Sequence, residues 1–313
     1  MIEYALVGDI GGTNSRFGLV KTGSMAVEHM EALRNDNFAS LEAAIQQYMK
    51  NRGFAALSAA AIAVAAPVDG ERITLTNRDW TFSKESLRAA AGANRIRLLN
   101  DYEALALALP HLEGDDIVQI GGQASSKPMV KLVLGPGTGL GMAALVPLAA
   151  GGWMALPCEP GHITLPTETQ EEFDLREKMR EPGSVFTTEE AVSGGGLFLT
   201  YKAIAPEGKL ATPEAVIAAA LANTDVAASK TLSQFIIWLA RITGDAAMTL
   251  QAKGGVYLAG GIAPSIIEHL KSGVFRSIFE EKGKLAYVMR PIPVYVIVDR
   301  FPAFKGCAAS LAL

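Results

Sequence analysis

Cys158 and Cys307 are the only two cysteines in 313 residues. They are too few for a disulfide scaffold and lack metal-ligand spacing, so a reducing cytoplasm is the expected compartment. Charge is sparse as well: 19% of residues are charged and the formal net charge is −4. That balance gives no general pull on nucleic acid or anionic membrane, so any phosphate the chain binds must be held at a local site. Gly, Pro or charge breaks every apolar stretch before the ~18 residues of a membrane span. Met1-Ile2-Glu3-Tyr4 has no basic region followed by an apolar stretch, and no signal peptide is expected. Half of the residues are hydrophobic (50%), which argues against disorder, and the length allows one large domain or two compact ones.

What the chain does contain is glycine in three informative places. The apolar run Ala5-Leu6-Val7 reads as a buried strand ending at Gly8-Asp9-Ile10-Gly11-Gly12-Thr13-Asn14, with a returning strand over Ser15 to Val20. The pattern restarts at the strand Val130 to Leu134, the turn Gly135-Pro136-Gly137-Thr138-Gly139-Leu140-Gly141, and a strand over Met142 to Val146. Two strand–turn–strand units in one chain suggest two similar lobes. A third turn, Ala259-Gly260-Gly261, separates the strand Val256-Tyr257-Leu258 from a helix that Pro264 can open. Helices are expected over Phe38 to Arg52 with Ser40 as a cap, from Ser83, after Asp101, over Thr169 to Arg180, over Asp225 to Ala252 and over Phe304 to Leu313. Strands are expected over Ala59 to Ala66, Arg95 to Leu99 and Pro293 to Val298.

A glycine turn lets backbone N–H groups approach an anion without Cβ obstruction. A single one fits a tight hairpin equally well. Two of them, both with a Thr and one with Asp9, point toward nucleotide phosphate. Asp9 adds a carboxylate that suits a hydrated Mg²⁺; Thr13, Asn14 and Arg16 add donors. Neither turn is a Walker A loop, because no Gly-Lys-Ser/Thr follows. Gly260-Gly261 taken alone is a close-packed strand-to-helix turn, and beside two phosphate turns it becomes a candidate shelf for adenosine.

Four polar sites stand out from apolar surroundings: Asn77, Asn100-Asp101, Glu159 with His162, and Glu189 just before Ser193-Gly194-Gly195-Gly196. Carboxylates, amides and a histidine are what paired sugar hydroxyls require. One carboxylate must also accept a proton when a hydroxyl attacks phosphorus. Asp101 alternatively reads as the N-cap of the helix after it. His162 alternatively reads as an ordinary turn histidine, and Glu189 as a solvated or capping residue. Cys158 reads as a small buried residue rather than a nucleophile.

Taken in order, Gly8 to Asn14, Asn100-Asp101, Leu134 to Gly141, Glu159-Pro160-Gly161-His162, Ser193-Gly194-Gly195-Gly196-Leu197 and Ala259-Gly260-Gly261 resemble the motifs of bacterial glucokinases over essentially the whole chain. The resemblance implies an α/β, actin-like (ribonuclease H-like) two-lobed ATPase fold with a central cleft. Its small lobe would span residues 1–110, completed by a C-terminal helix at about 301–313, and its large lobe 111–300. It implies phosphorylation of glucose to glucose 6-phosphate by ATP with Mg²⁺, the first step of glycolysis, in a cytoplasmic homodimer. Asp101 would be the catalytic base, and Asn100, Glu159, His162 and Glu189 would bind glucose beside it. Asp9 (to Mg²⁺ through water), Gly11, Gly12, Thr13, Asn14, Arg16, Gly137, Thr138 and Gly139 would hold ATP phosphates, with Gly260 and Gly261 bordering adenosine. Three positions depart from the usual pattern: Pro160 where Gly is frequent, Thr164 where Asp is, and Gly195 where Pro is. The cysteine-rich zinc motif of the related repressor and kinase group is missing, so no structural zinc is expected.

Other readings are a kinase for mannose, fructose or an N-acetyl sugar, a non-catalytic sugar-sensing regulator, and a filament-forming or chaperone-like ATPase. Related regulators carry an N-terminal helix-turn-helix, for which the first strand leaves no room here. Asn100, Glu159, His162 and Glu189 have no role in the last reading.

Overall fold

A computed structural model describes residues 4–75, 78–124 and 127–312. The chain forms two compact units: Met1–Glu113 with Trp153–Pro157 and Asp299–Leu313, and Gly114–Gly152 with Cys158–Val298.

In the first unit β1 (Tyr4–Ile10), β2 (Asn14–Lys21), β3 (Val27–Arg34) and β4 (Ala59–Val64) lead through a small hairpin, β5 (Ile73–Thr74) and β6 (Thr81–Phe82), to β7 (Ile96–Asn100). The main sheet has the order β3-β2-β1-β4-β7. Antiparallel pairing joins β1, β2 and β3, whereas β1, β4 and β7 run parallel. Strand β4 is buried at every position, as its unbroken Ala-Ala-Ala-Ile-Ala-Val run requires of a central parallel strand. Ser40 caps its helix as expected, but the helix starts at Leu41 rather than Phe38, because the Ser40 oxygen takes the Ala43 N–H. It ends at Gly53, whose φ of +72° is the left-handed conformation that glycine adopts at least steric cost.

In the second unit β8 (Ile117–Gly121), β9 (Lys131–Pro136), β10 (Leu140–Pro147), β12 (Gly255–Leu258) and β13 (Val294–Ile297) form, together with β11 (Trp153–Cys158), a sheet of order β11-β10-β9-β12-β13-β8. Strand β9 is antiparallel to β10 and parallel to β12, which is parallel to β13. Leaving out β8, this is the third-second-first-fourth-fifth order of the first sheet. The restart of the strand–turn–strand pattern is therefore a repeat of topology. The long helix Val226–Thr249 buries Trp238 and Leu239 in this unit's core. Its Arg241 forms a buried ion pair with Glu172 of helix Gln170–Met179.

Helix Pro302–Leu311 packs on helix Asp101–Ala108 in the first unit. At the crossing a Cβ on Gly306 would overlap the Ala104 carbonyl. Gly306→Ala must push the helices apart, and we expect it to lose about 3 kcal/mol of stability or more, the upper part of the overpacking range. Thermal unfolding checks this, and an unchanged midpoint would show that the helices separate freely.

Candidate active site

The parallel strands deliver the first group of site residues. Asp9 of β1 is in register with Ala63 of β4, and Ala63 with Leu99 of β7. The Gly11–Thr13 turn and the Asn100-Asp101 pair therefore leave the same edge of the sheet, with two interstrand spacings, roughly 10 Å, between β1 and β7. Strand C-terminal ends are where open α/β sheets bind ligands.

The turn is closed by Gly11 N–H donating to the Asn14 carbonyl at 3.0 Å. Asp9 Oδ2 lies 3.3 Å from Arg16 Nη1, and the Arg16 guanidinium sits 6.0 Å from the Phe301 ring centre. Burial pushes the Asp9 carboxyl above its ordinary value, and Arg16 offsets this only partly. Among the described residues no three His, Cys, Asp or Glu side chains cluster as a metal cage. One carboxylate still suits Mg²⁺, which keeps several waters and takes its other ligands from phosphate oxygens.

At the end of β7 the structure corrects one sequence reading: Asn100, not Asp101, is the helix cap. Asn100 Oδ1 accepts from Tyr102 N at 2.9 Å and Glu103 N at 3.4 Å, and Glu103 closes a capping box. Asn100 Nδ2 donates to the Ala66 carbonyl at 3.4 Å, leaving one amide hydrogen for other partners. Asp101 is the first helical residue, and its Oδ1 lies 3.0 Å from Tyr102 N.

In the second unit the Thr138 turn, the Glu159–His162 turn and Glu189 are tied together. Glu189 Oε2 accepts from Leu140 N at 2.9 Å, just beyond the turn. A Cβ on Gly139 would overlap that same oxygen, so a larger residue there would have to displace the Glu189 carboxylate. Glu189 N–H donates to the Gly161 carbonyl at 3.0 Å, and Thr188 Oγ1 donates to the Pro160 carbonyl. Pro160 opens the short 3₁₀ turn Pro160–His162; Glu159, just before it, and His162, its last residue, have exposed side chains. Gly137 O accepts from Gly194 N at 2.9 Å, joining the Thr138 turn to the start of helix Gly194–Ile204. Gly195 is thus in the first turn of that helix, capped by Ser193.

Gly260 has φ +81°, and a Cβ there would overlap the Pro136 carbonyl. Only glycine lets the third turn lie against the second. Leu134 of β9 and Leu258 of β12 are in register, so both turns leave one edge of this sheet. The following helix, Ile262–Ser265, is a single turn with Pro264 inside it rather than at its opening.

Two residues that sequence reasoning passed over hold the first turn. Asn35 is fully buried and bonded to it, and Arg78 Nε donates to the Gly12 carbonyl at 3.3 Å. Arg78 also pairs with Asp36 and lies 4.9 Å over the Trp80 ring. A cavity of about 630 Å³ opens here, lined by Thr13, Asp36, Phe38, Arg78 and Trp80 among others. Asn77 lies outside the described residues. Among the described residues no helix is long and apolar enough to cross a membrane.

The repeated sheet is that of sugar kinases in the actin-like ATPase superfamily. The glucokinase from an Antarctic psychrotroph superposes with a TM-score of 0.89 at 31% identity, covering 100% of this chain and 99% of that one. The glucokinase of Balamuthia mandrillaris, solved in complex with glucose, shares the fold at a TM-score of 0.83 and 23% identity, covering 99% of this chain and 94% of its own. The glucokinase of Hahella chejuensis is 37% identical over 313 residues, 99% of this chain and 97% of that relative. The family model described as Glucokinase matches residues 6–313, and the chain belongs to the glucokinase family.

Proposed function

We propose that this chain transfers the γ-phosphoryl group of ATP to glucose, giving glucose 6-phosphate and ADP. The observation that carries the reading is Glu189, whose carboxylate binds Leu140 N beside the Thr138 turn while its backbone binds Gly161 in the Glu159–His162 turn. A phosphate-type turn and a hydroxyl-recognition turn are thereby built as one piece.

In this reading Asp101 accepts the proton of the 6-hydroxyl as its oxygen bonds to the γ-phosphorus and the bond to the ADP oxygen breaks. Asn100, Glu159, His162 and Glu189 orient the sugar. Gly11, Gly12, Thr13, Asn14 and Arg16 with Gly137, Thr138 and Gly139 hold the phosphates, and Gly260-Gly261 borders the adenosine. Asp9 would hold Mg²⁺ through water, and that ion offsets phosphate charge when bound. The first compact unit serves as the small lobe and the second as the large lobe. A cytoplasmic homodimer is part of the same proposal, supported by two free cysteines suited to a reducing compartment and by the habit of the family.

His162 is exposed in the free protein, and once bound sugar covers it a hydroxyl left without its partner costs ~1–3 kcal/mol. His162→Ala should therefore raise KM for glucose about tenfold or more, while KM for ATP changes little. Steady-state assays across glucose, mannose, fructose and N-acetylglucosamine check both the residue and the substrate. Equal weakening of both substrates by the substitution, or a preference for another sugar in the parent protein, would contradict this reading.

A further inference from the structure

Asn35 follows β3 directly and is 0% exposed. Its Nδ2 donates to the Gly11 carbonyl at 2.8 Å and to the Gly12 carbonyl at 3.1 Å. Its Oδ1 accepts from Ser15 Oγ at 2.8 Å, and its backbone N–H donates to the Thr13 carbonyl at 2.9 Å. One residue thus grips three successive carbonyls of the first glycine turn and the first buried side chain beyond it.

The consequence follows from peptide geometry. In a planar trans peptide, C=O and N–H point in opposite directions. Drawing the Gly11 and Gly12 carbonyls onto Asn35 turns the N–H groups of Gly12 and Thr13 the other way. Neither of these donates to a protein acceptor among the described residues. The Arg78 Nε bond to the Gly12 carbonyl acts in the same sense. A glycine pair has wide conformational freedom and would otherwise lose its orientation readily.

The geometry points to Asn35 as the positioning residue that aims the Gly12 and Thr13 N–H groups at a phosphate of ATP. This rests on the reading of the turn as a phosphate site. Asn35 touches no substrate; it acts through the backbone of the turn. Ser15→Ala supplies the structural comparison, because it removes the buried bond to Oδ1 and leaves both carbonyl bonds in place.

The test is calorimetry of a non-hydrolysable ATP analogue with Mg²⁺, and separately of glucose, on the parent protein, Asn35→Ala and Ser15→Ala. Loss of the two carbonyl bonds in Asn35→Ala should weaken the analogue about tenfold or more. Glucose affinity should stay within about twofold, and Ser15→Ala should leave both ligands within about twofold. Normal analogue affinity in Asn35→Ala, or equal weakening of both ligands, overturns the inference. If Asn35→Ala does not fold, Asn35→Ser is measured instead: its hydroxyl reaches at most one carbonyl, so weaker analogue binding is expected and normal affinity again overturns the inference. Amide NMR shifts of Gly12 and Thr13 on adding the analogue to the parent protein separate the two levels. If those amides do not respond, the phosphate reading fails and the inference with it. If they respond while Asn35→Ala binds normally, the inference alone fails.

Discussion

Asp101→Asn should lower turnover by at least about a hundredfold, within the range typical of general-base help. The substitution keeps the size of the side chain and much of its hydrogen bonding, but an amide cannot take the proton of the attacking hydroxyl. The structure sharpens this expectation, because the helix after β7 is capped by Asn100 and not by Asp101. Loss of the Asp101 charge leaves that cap intact, so the protein should remain folded and should still bind ATP and glucose. Removing the cap itself, as in Asn100→Ala, costs about 1 kcal/mol of stability and is a separable effect. Turnover, thermal unfolding and glucose calorimetry on Asp101→Asn check the claim together. Near-normal turnover would move the base to Glu159 or Glu189.

Asp9→Asn should separate function from stability in the opposite sense. Burial raises the Asp9 carboxyl above 3.8, with Arg16 pulling it back only in part. The folded protein therefore binds this proton more tightly than the unfolded chain does. Stability from this group consequently falls as pH rises through the interval from 3.8 to the raised folded value, and the cost of the buried charge is fully present only above that value. An asparagine does not carry that cost. The Asp9→Asn protein should be as stable as the parent or more so at pH 7, and the gain should vanish as pH falls below the carboxylate range. Turnover with Mg²⁺ and ATP should drop roughly a hundredfold, the loss seen when one electrostatic stabiliser is removed. Denaturation at several pH values with steady-state kinetics checks both halves. Unchanged turnover would remove Asp9 from the metal and phosphate role.

Much of this site is legible in the sequence because it is local. Glycine between two strands, Asp9 at a strand end and Asn100-Asp101 between a strand and a helix are all set within a few residues by backbone geometry. The cap Ser40 and the helix starts at Ser83 and Asp225 are legible for the same reason, though the last two prove to be caps rather than helical residues. Strand β3 is not: none of its residues is buried, so no apolar alternation marks it. Asn35, which depends on where β3 ends, is hidden with it. The role of Gly139 is also invisible in the chain, since it is set by a carboxylate that reaches Leu140 from 49 residues away. The choice between Asn100 and Asp101 as cap turns on one residue of helix boundary, a resolution that pattern does not give.

Phosphorus NMR of the parent protein with ATP, Mg²⁺ and glucose is the most direct test. ADP and a single new phosphomonoester on O6 of glucose should form in equal amounts, with ATP left intact when glucose is omitted. ATP consumed without glucose, or no sugar phosphate formed, would contradict a glucose-phosphorylating enzyme.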